Sequence, residues 1–315
     1  MVRMLRQQDG TLLLSTSQTR TAQKQTEVTV YLGSDQNPQS LVRRVIAFYL
    51  IGLNTIVLKS KDSRMSPNLR DAVREFVRTK LVGTEIVSES STELVLQILL
   101  SYPELSAENA LRRMVTIADQ MHKDSVSALC EGKRDLAVQV LKSDDEVDRF
   151  AFYIVRQIKR AVEDERFLKE IGMKSARDCL GYRLITKSVE RVADHAVLIA
   201  NHAAELRESL TSRLASRMKE LSEFSSLQFQ EASQALFRGN YSMADGVLAR
   251  QPQVETLEAD IEKQIYRQDL SSEDVSSLRL ILESLRRIGE YGTDIAEIVL
   301  NLTVHVTETA QRGSD

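Results

Sequence analysis

The sequence predicts a mainly α-helical protein, a tandem pair of three-helix bundles preceded by a small α+β domain. Three observations carry that expectation. Four Pro and twelve Gly in 315 residues favour long helices over a turn-rich β architecture. From residue 104 onward the apolar residues recur at helical spacing almost without interruption. That helical part also repeats itself.

Taken in order, residues 1–26 read as an incomplete segment. Gly10 to Leu14 can form one strand after a turn at Asp9-Gly10, and the polar, Thr-rich stretch from Ser15 to Gln25 is expected to be mobile. Residues 27–103 alternate strand and helix signals. EVTVYL (Glu27 to Leu32) alternates at period two, Pro38 opens a helix through LVRRVIAFYLIG, and Thr55 to Lys59 is a short buried strand. Ser66-Pro67 starts a second helix with Pro at its favoured first position, and TEIVSES and TELVLQILL read as two further strands. The basic residues here, Arg43, Arg44, Lys59 and Lys61, read as solvated surface charge. Tyr102-Pro103 marks the boundary to the helical part.

Two units follow, residues 104–209 and 210–315. The expected helices are Ser106 to Gly132, Lys133 to Phe167 and Ser175 to Glu208, then Arg213 to Gly239, Ser242 to Gln268 and Ser271 to Val306. The middle helices align at a shift of 107: Val147 with Val254, Phe150 with Leu257, Ile154 with Ile261. The third helices align at 96, Arg191 with Arg287, so the first unit has the longer connection, around Glu163 to Ser175. A loop tolerates such an insertion because closure entropy grows slowly with length.

In each third helix a polar ridge rich in carboxylates lies away from the apolar stripe: Glu190 and Asp194 in the first copy, Glu290, Asp294 and Glu297 in the second. The middle helices turn Asp144, Asp145 and Asp148, and then Glu255, Glu258 and Glu262, away from their apolar faces. Carboxylates one turn apart repel, by a few tenths of a kcal/mol per pair. Lys or Arg neighbours can offset that, and so can a bound cation, since hard and borderline metals take carboxylate oxygens supplied by facing helices. The metal-ligand candidates are Glu190, Asp194, Asp148, Glu290, Asp294, Glu297 and Glu255, for a divalent or trivalent ion such as Fe, Zn, Mn, Mg or Ni. His195 and His202 read as ordinary helix-flank residues, and His122 and His305 have no evident companions.

Bulk properties narrow the function. Residues 1–90 hold 13 Lys and Arg against 8 Asp and Glu, whereas the whole chain carries −3, so a basic front precedes an acidic helical back. Two cysteines, Cys130 and Cys179, make no disulfide framework and suit a reducing cytoplasm. No apolar run approaches the roughly 20 residues that span a bilayer, and MVRMLRQQDG lacks the apolar core of a signal peptide. There is no P-loop, Gly-x-Ser-x-Gly elbow or His-Glu-x-x-His motif, so the chain is not read as an enzyme.

Middle helices like VLKSDDEVDRF and third helices like SVERVADHAVLIAN resemble the PhoU family of phosphate-uptake regulators, over Ser106 to Val306. The upstream segments VRRVIAFYLIGLNTIVLK, LVGTEIVSES and ELSAENALRRM look like the archaeal branch of that family. MVRMLRQQDGTLLLSTS looks like the second half of an AbrB-like swapped-hairpin DNA-binding domain. The resemblance implies a cytoplasmic, non-enzymatic regulator whose partners are a phosphate ABC transporter and a phosphate-responsive sensor kinase. It also implies metal binding through a Glu/Asp-x-x-x-Asp pattern, which Glu190 and Asp194 match. At the second site Glu190 aligns with Arg286 and Asp194 with Glu290, leaving Glu290, Asp294 and Glu297 to supply ligands. A homo-oligomer is expected. The alternative reading is a transcription regulator that docks DNA through the N-terminal region.

Overall fold

A computed structural model of the chain describes residues 2–6, 12–16, 26–33, 35–100 and 105–304. The turn at Asp9-Gly10, most of the Ser15 to Gln25 stretch, the Tyr102-Pro103 boundary and His305 lie outside the described residues. Contacts divide the chain into two compact units, one of Met1–Glu75 with Gly83–Leu99, the other of Phe76–Val82 with Leu100–Asp315.

Among the described residues, the first unit holds two sheets. Strands β1 (Val2–Arg6) and β2 (Leu12–Thr16) pair antiparallel, Met4 opposite Leu14. One strand was expected here; a second pairs with it because a lone strand leaves both rows of backbone groups unbonded. The other sheet has four strands, β3 (Glu27–Leu32), β4 (Thr55–Ser60), β5 (Thr84–Glu89) and β6 (Glu93–Ile98), in the order β3-β4-β6-β5. Strands β3 and β4 run parallel, joined through helix α1 (Pro38–Leu50); β4–β6 and β5–β6 are antiparallel. Pro38 opens α1 as expected, and Asn37 caps it by accepting from the Ser40 amide at 3.1 Å. Helix α2 (Pro67–Lys80) begins in this unit, where Arg70 donates to Glu89 and to the carbonyls of Ser90 and Ser91, clasping the β5–β6 turn. Lys59 pairs with Glu93 at 3.0 Å, and Arg44 lies over the Phe48 ring.

The second unit is a helical assembly of two repeats. The first has α3 (Ala107–Glu131), α4 (Arg134–Glu163), α5 (Glu165–Glu170) and α6 (Ala176–Glu205). The second has α7 (Ser212–Arg238), α8 (Tyr241–Leu248), α9 (Gln251–Ile265) and α10 (Ser272–Thr303). Their ends are built alike. Gly132 and Gly239 close α3 and α7 at φ 65° and 59°, the left-handed conformation a glycine adopts without strain. Ser175 and Ser271 cap α6 and α10 by accepting from the Asp178 and Asp274 amides.

Two expected helices are each divided. Lys133 to Phe167 breaks at Asp164, whose extended backbone and carboxylate, accepting from the Arg166 and Phe167 amides, start the short α5. The longer connection of the first repeat is therefore ordered, and Phe167, Leu168, Ile171 and Met173 are buried in the core. Ser242 to Gln268 breaks between Leu248 and Gln251, because Pro252 has no amide hydrogen and its ring would meet the carbonyl of Leu248 in a continuous helix.

The two repeats share one hydrophobic core. Val147, Ile154, Val254 and Ile261 are each 0% exposed and belong to the same cluster. Helix α10 packs on both α6 and α7, and α3 on α7. Residues at equivalent positions meet across these contacts. Ser226 donates to Asp119 at 2.7 Å, and His195 lies 5.7 Å from Tyr291 between ring centroids. Self-matching contacts of this kind mark an approximate two-fold axis relating the repeats. Helices α7 and α10 approach closely, since a Cβ on Gly292 would fall 2.9 Å from the Phe229 amide nitrogen.

Candidate functional site

With the apolar faces consumed by the shared core, the acidic faces of α4 and α6 are left turned outward. Each follows from helical geometry: Val147, Ala151 and Ile154 bury one side of α4, so Asp144, Asp145 and Asp148 occupy others. On α6, burial of Val189, Val192, Ala193 and Ala196 leaves Glu190 and Asp194 at the border with solvent. The two faces feel one another. Burial pushes the Asp144 carboxyl up to about 6, with Asp148 and then Asp194 among the charges adding to it. Asp194 is also raised, first by burial, then by Glu190, with Asp148 contributing. The structure thus brings together Glu190, Asp194 and Asp148, three of the residues singled out in the sequence, with Asp144 and Asp145 beside them.

A side chain from outside the repeats lies among them. The Lys80 ammonium donates to Asp145 at 2.5 Å and to Asp148 at 2.6 Å, and its side chain is 16% exposed. Burial works to lower its pKa, but the hydrogen bonds and charges of the two aspartates outweigh that, and the net shift is upward, so the group stays protonated. Along α6, Lys187 pairs with Glu190 at 2.7 Å and Arg191 with Asp194 at 3.4 Å. Lys80 was not singled out from the sequence, since 68 residues separate it from Asp148 and no local period links them.

The second acidic face is organised differently. Arg286 reaches from α10 to Glu258 on α9, Nε to Oε1 at 3.1 Å, and also pairs with Glu290. Arg287 donates to the other Glu290 oxygen at 2.5 Å and to the Tyr291 hydroxyl at 3.0 Å. Arg279 meets Glu262 at 3.3 Å. A groove of ≈ 580 Å³ opens beside Arg286, walled by Glu258, Glu262, Tyr266, Arg279 and Glu283. Of the predicted ligands, only Glu290 joins this cross-helix cluster, through Arg286. Asp294, Glu297 and Glu255 are exposed.

Whether a metal ion suits these faces is a question of donors. Among the described residues, no three of His, Cys, Asp or Glu are grouped so as to hold one ion. In the first face one oxygen of Asp145 and one of Asp148 accept from an ammonium, and in the second a guanidinium bridges the two helices. As arranged, the described residues offer no ready-made set of three such donors around one point.

The other singled-out groups have structural roles. His122 is buried between α3 and α7, where Nε2 shares a hydrogen bond with Ser222 Oγ at 2.8 Å; burial lowers its pKa and keeps it neutral. This partner, 100 residues away, is what the sequence did not disclose. His202 pairs with Glu205 at 3.1 Å on the helix flank. Cys130 donates to the Ala215 carbonyl, and burial pushes its thiol up to about 11, which removes it as a nucleophile at neutral pH. Cys179 is buried.

Comparison with known proteins places these features. The PhoU domain model matches residues 111–203 and 218–299, one match on each repeat. The chain is similar to the crystal structure of PhoU from Pseudomonas aeruginosa, with 22% identity and a TM-score of 0.56, over 62% of this chain and 94% of that one. It is also similar to the phosphate transport system regulatory protein PhoU from Streptococcus pneumoniae, with 16% identity and a TM-score of 0.54, over 62% of this chain and 92% of that one. At these identities the two structures show a shared fold. No curated protein sequence matches the chain.

Proposed function

The chain belongs to the PhoU domain family, and from that premise we propose that it regulates phosphate uptake and phosphate signalling through contacts with other proteins rather than by catalysis. One observation supports this above the rest: the two family matches coincide with two repeats whose apolar sides are spent on a common core, leaving acidic faces for partners. An outward carboxylate face attracts a basic surface over a distance of about a Debye length and orients it on arrival. The core holds the helices rigid, so both faces are presented preformed. The partners in this reading are a phosphate ABC transporter and a phosphate-responsive sensor kinase, met on the cytoplasmic side, with a second copy of the chain completing a homo-oligomer. Among the described residues no helix is long and apolar enough to cross a membrane, which fits a protein that docks on a membrane complex without entering it. This reading rests on protein contacts and does not require a bound metal.

Deleting the gene tests the proposal. Phosphate uptake should then continue unrestrained in phosphate-rich medium, and wild type should restore restraint where Asp294→Lys/Glu297→Lys does not. Unchanged uptake and signalling in the deletion strain would remove the function.

The antiparallel β1–β2 pair and the basic balance of residues 1–90 support the second reading, DNA binding through an AbrB-like N-terminal region. A gel shift distinguishes them. Sequence-preferring binding to phosphate-gene promoters favours this reading, while equal, salt-sensitive binding to any DNA reduces it to charge.

A further inference from the structure

We infer that each acidic face is closed by a cation built into the chain, Lys80 in the first repeat and Arg286 in the second, and that these side chains stand where a carboxylate-bound metal ion would otherwise sit. The two cations arrive by different routes. Lys80 comes from the segment Phe76–Val82, which precedes both repeats yet belongs with the helical unit. Arg286 lies within its own repeat, at the position aligned with Glu190. Both do what a bridging ion does. Lys80 ties Asp145 to Asp148, and Arg286 ties Glu258 of α9 to Glu290 of α10.

Three physical consequences exclude an additional ion. One oxygen each of Asp145, Asp148 and Glu258 already accepts from a built-in cation. A fixed positive charge within bonding distance of the same oxygens repels a second cation across a partly desolvated gap. The donors left over are too dispersed, since no three assemble among the described residues, whereas zinc needs about four ligands and calcium or magnesium about six. Other charges facing the first centre are the carboxylates of Asp144, Glu190 and Asp194 and the cations of Lys187 and Arg191. Removing the Lys80 ammonium would leave Asp145 and Asp148 of α4 without their shared counterion, the condition under which an external ion becomes the better solution. This inference does not depend on the phosphate reading.

The test uses the full chain, purified without a metal-affinity tag. It is incubated separately with Mn²⁺, Zn²⁺ and Fe³⁺, desalted, analysed for metal, and melted with and without EDTA. Wild type should retain no stoichiometric metal and melt at one temperature in every condition, and Lys80→Arg should behave likewise. Lys80→Met should melt lower in EDTA, retain an equivalent of metal and recover its melting temperature when Mn²⁺ or Zn²⁺ is added; Asp148→Asn in that background should abolish the retention. Two results would overturn the inference: wild type holding an equivalent of metal that Glu190→Ala/Asp194→Ala removes, or Lys80→Met matching wild type in both assays. Should Lys80→Met fail to fold, Arg286→Gln read in the same assays decides in the same terms.

Discussion

The two repeats share a plan and differ in how each is completed. The first has an unbroken middle helix, α4, and an ordered insertion, α5, that adds Phe167 and Leu168 to the core. The second has no such insertion and a middle helix divided ahead of Pro252, the residue aligned with Asp145. The first borrows its counterion from residues before the repeat; the second carries its own. Positions that face the common core are matched pair by pair, Val147 with Val254 and Ile154 with Ile261, while the outer faces have diverged. Burial holds residues in place through packing, and charge on a surface can be balanced in several ways.

The largest effect should come from that matched interior. Ile154→Ala and Ile261→Ala should each cost about 3 kcal/mol, and each should lower a single unfolding transition in calorimetry. Two separate transitions, or a loss confined to one repeat, would break the equivalence. Next, Gly292→Ala places a methyl group against the backbone of Gln228 and Phe229, and should destabilise by about 2 kcal/mol despite its better helix propensity. Gly246→Ala, with open space around it, should instead stabilise by about 0.5 kcal/mol. Chemical denaturation of the pair separates space from propensity.

Asp144 sharpens the comparison, because Gln251 stands at the aligned position of the second repeat. Its folded pKa of about 6 lies above the ordinary value of 3.8. Between those values the folded state holds a proton that the unfolded state has released, so stability falls as pH rises from about 4 to about 6 and the penalty persists above. Asp144→Asn should therefore stabilise by about 1 kcal/mol at neutral pH, a figure reduced for the group's partial exposure, and the gain should vanish below about pH 4. Melting temperatures across that range check it. Pro252→Ala should be as small as Gly246→Ala and opposite in sign, about 0.5 kcal/mol of destabilisation from a freer unfolded chain.

Much of the fold was legible because it is local or periodic. The repeat could be read from Val147, Phe150 and Ile154 against Val254, Leu257 and Ile261, and the α1 and α2 starts from Pro38 and Pro67. The same periodicity hid the α8–α9 break, since Val247, Val254 and Ile261 keep their spacing across it and all remain buried. Strand β1 is hard to read from the sequence because VRMLR is short and Arg3 and Arg6, three residues apart, break the period-two alternation. The carboxylate faces were legible as one-turn spacings, but their counterions were not. Lys80 meets Asp148 across a long stretch of chain, and Arg286 reads as an ordinary helix-surface residue until α9 is laid beside it.

The common interior has a consequence for inheritance. With α10 resting on α6 and α7 on α3, each half covers part of its apolar surface only with the other. A gene severed between Glu205 and Ser212 would yield two fragments, each with a wall of Leu, Ile and Val facing water. Severed from each other, the halves are expected to be less soluble and less stable than the whole.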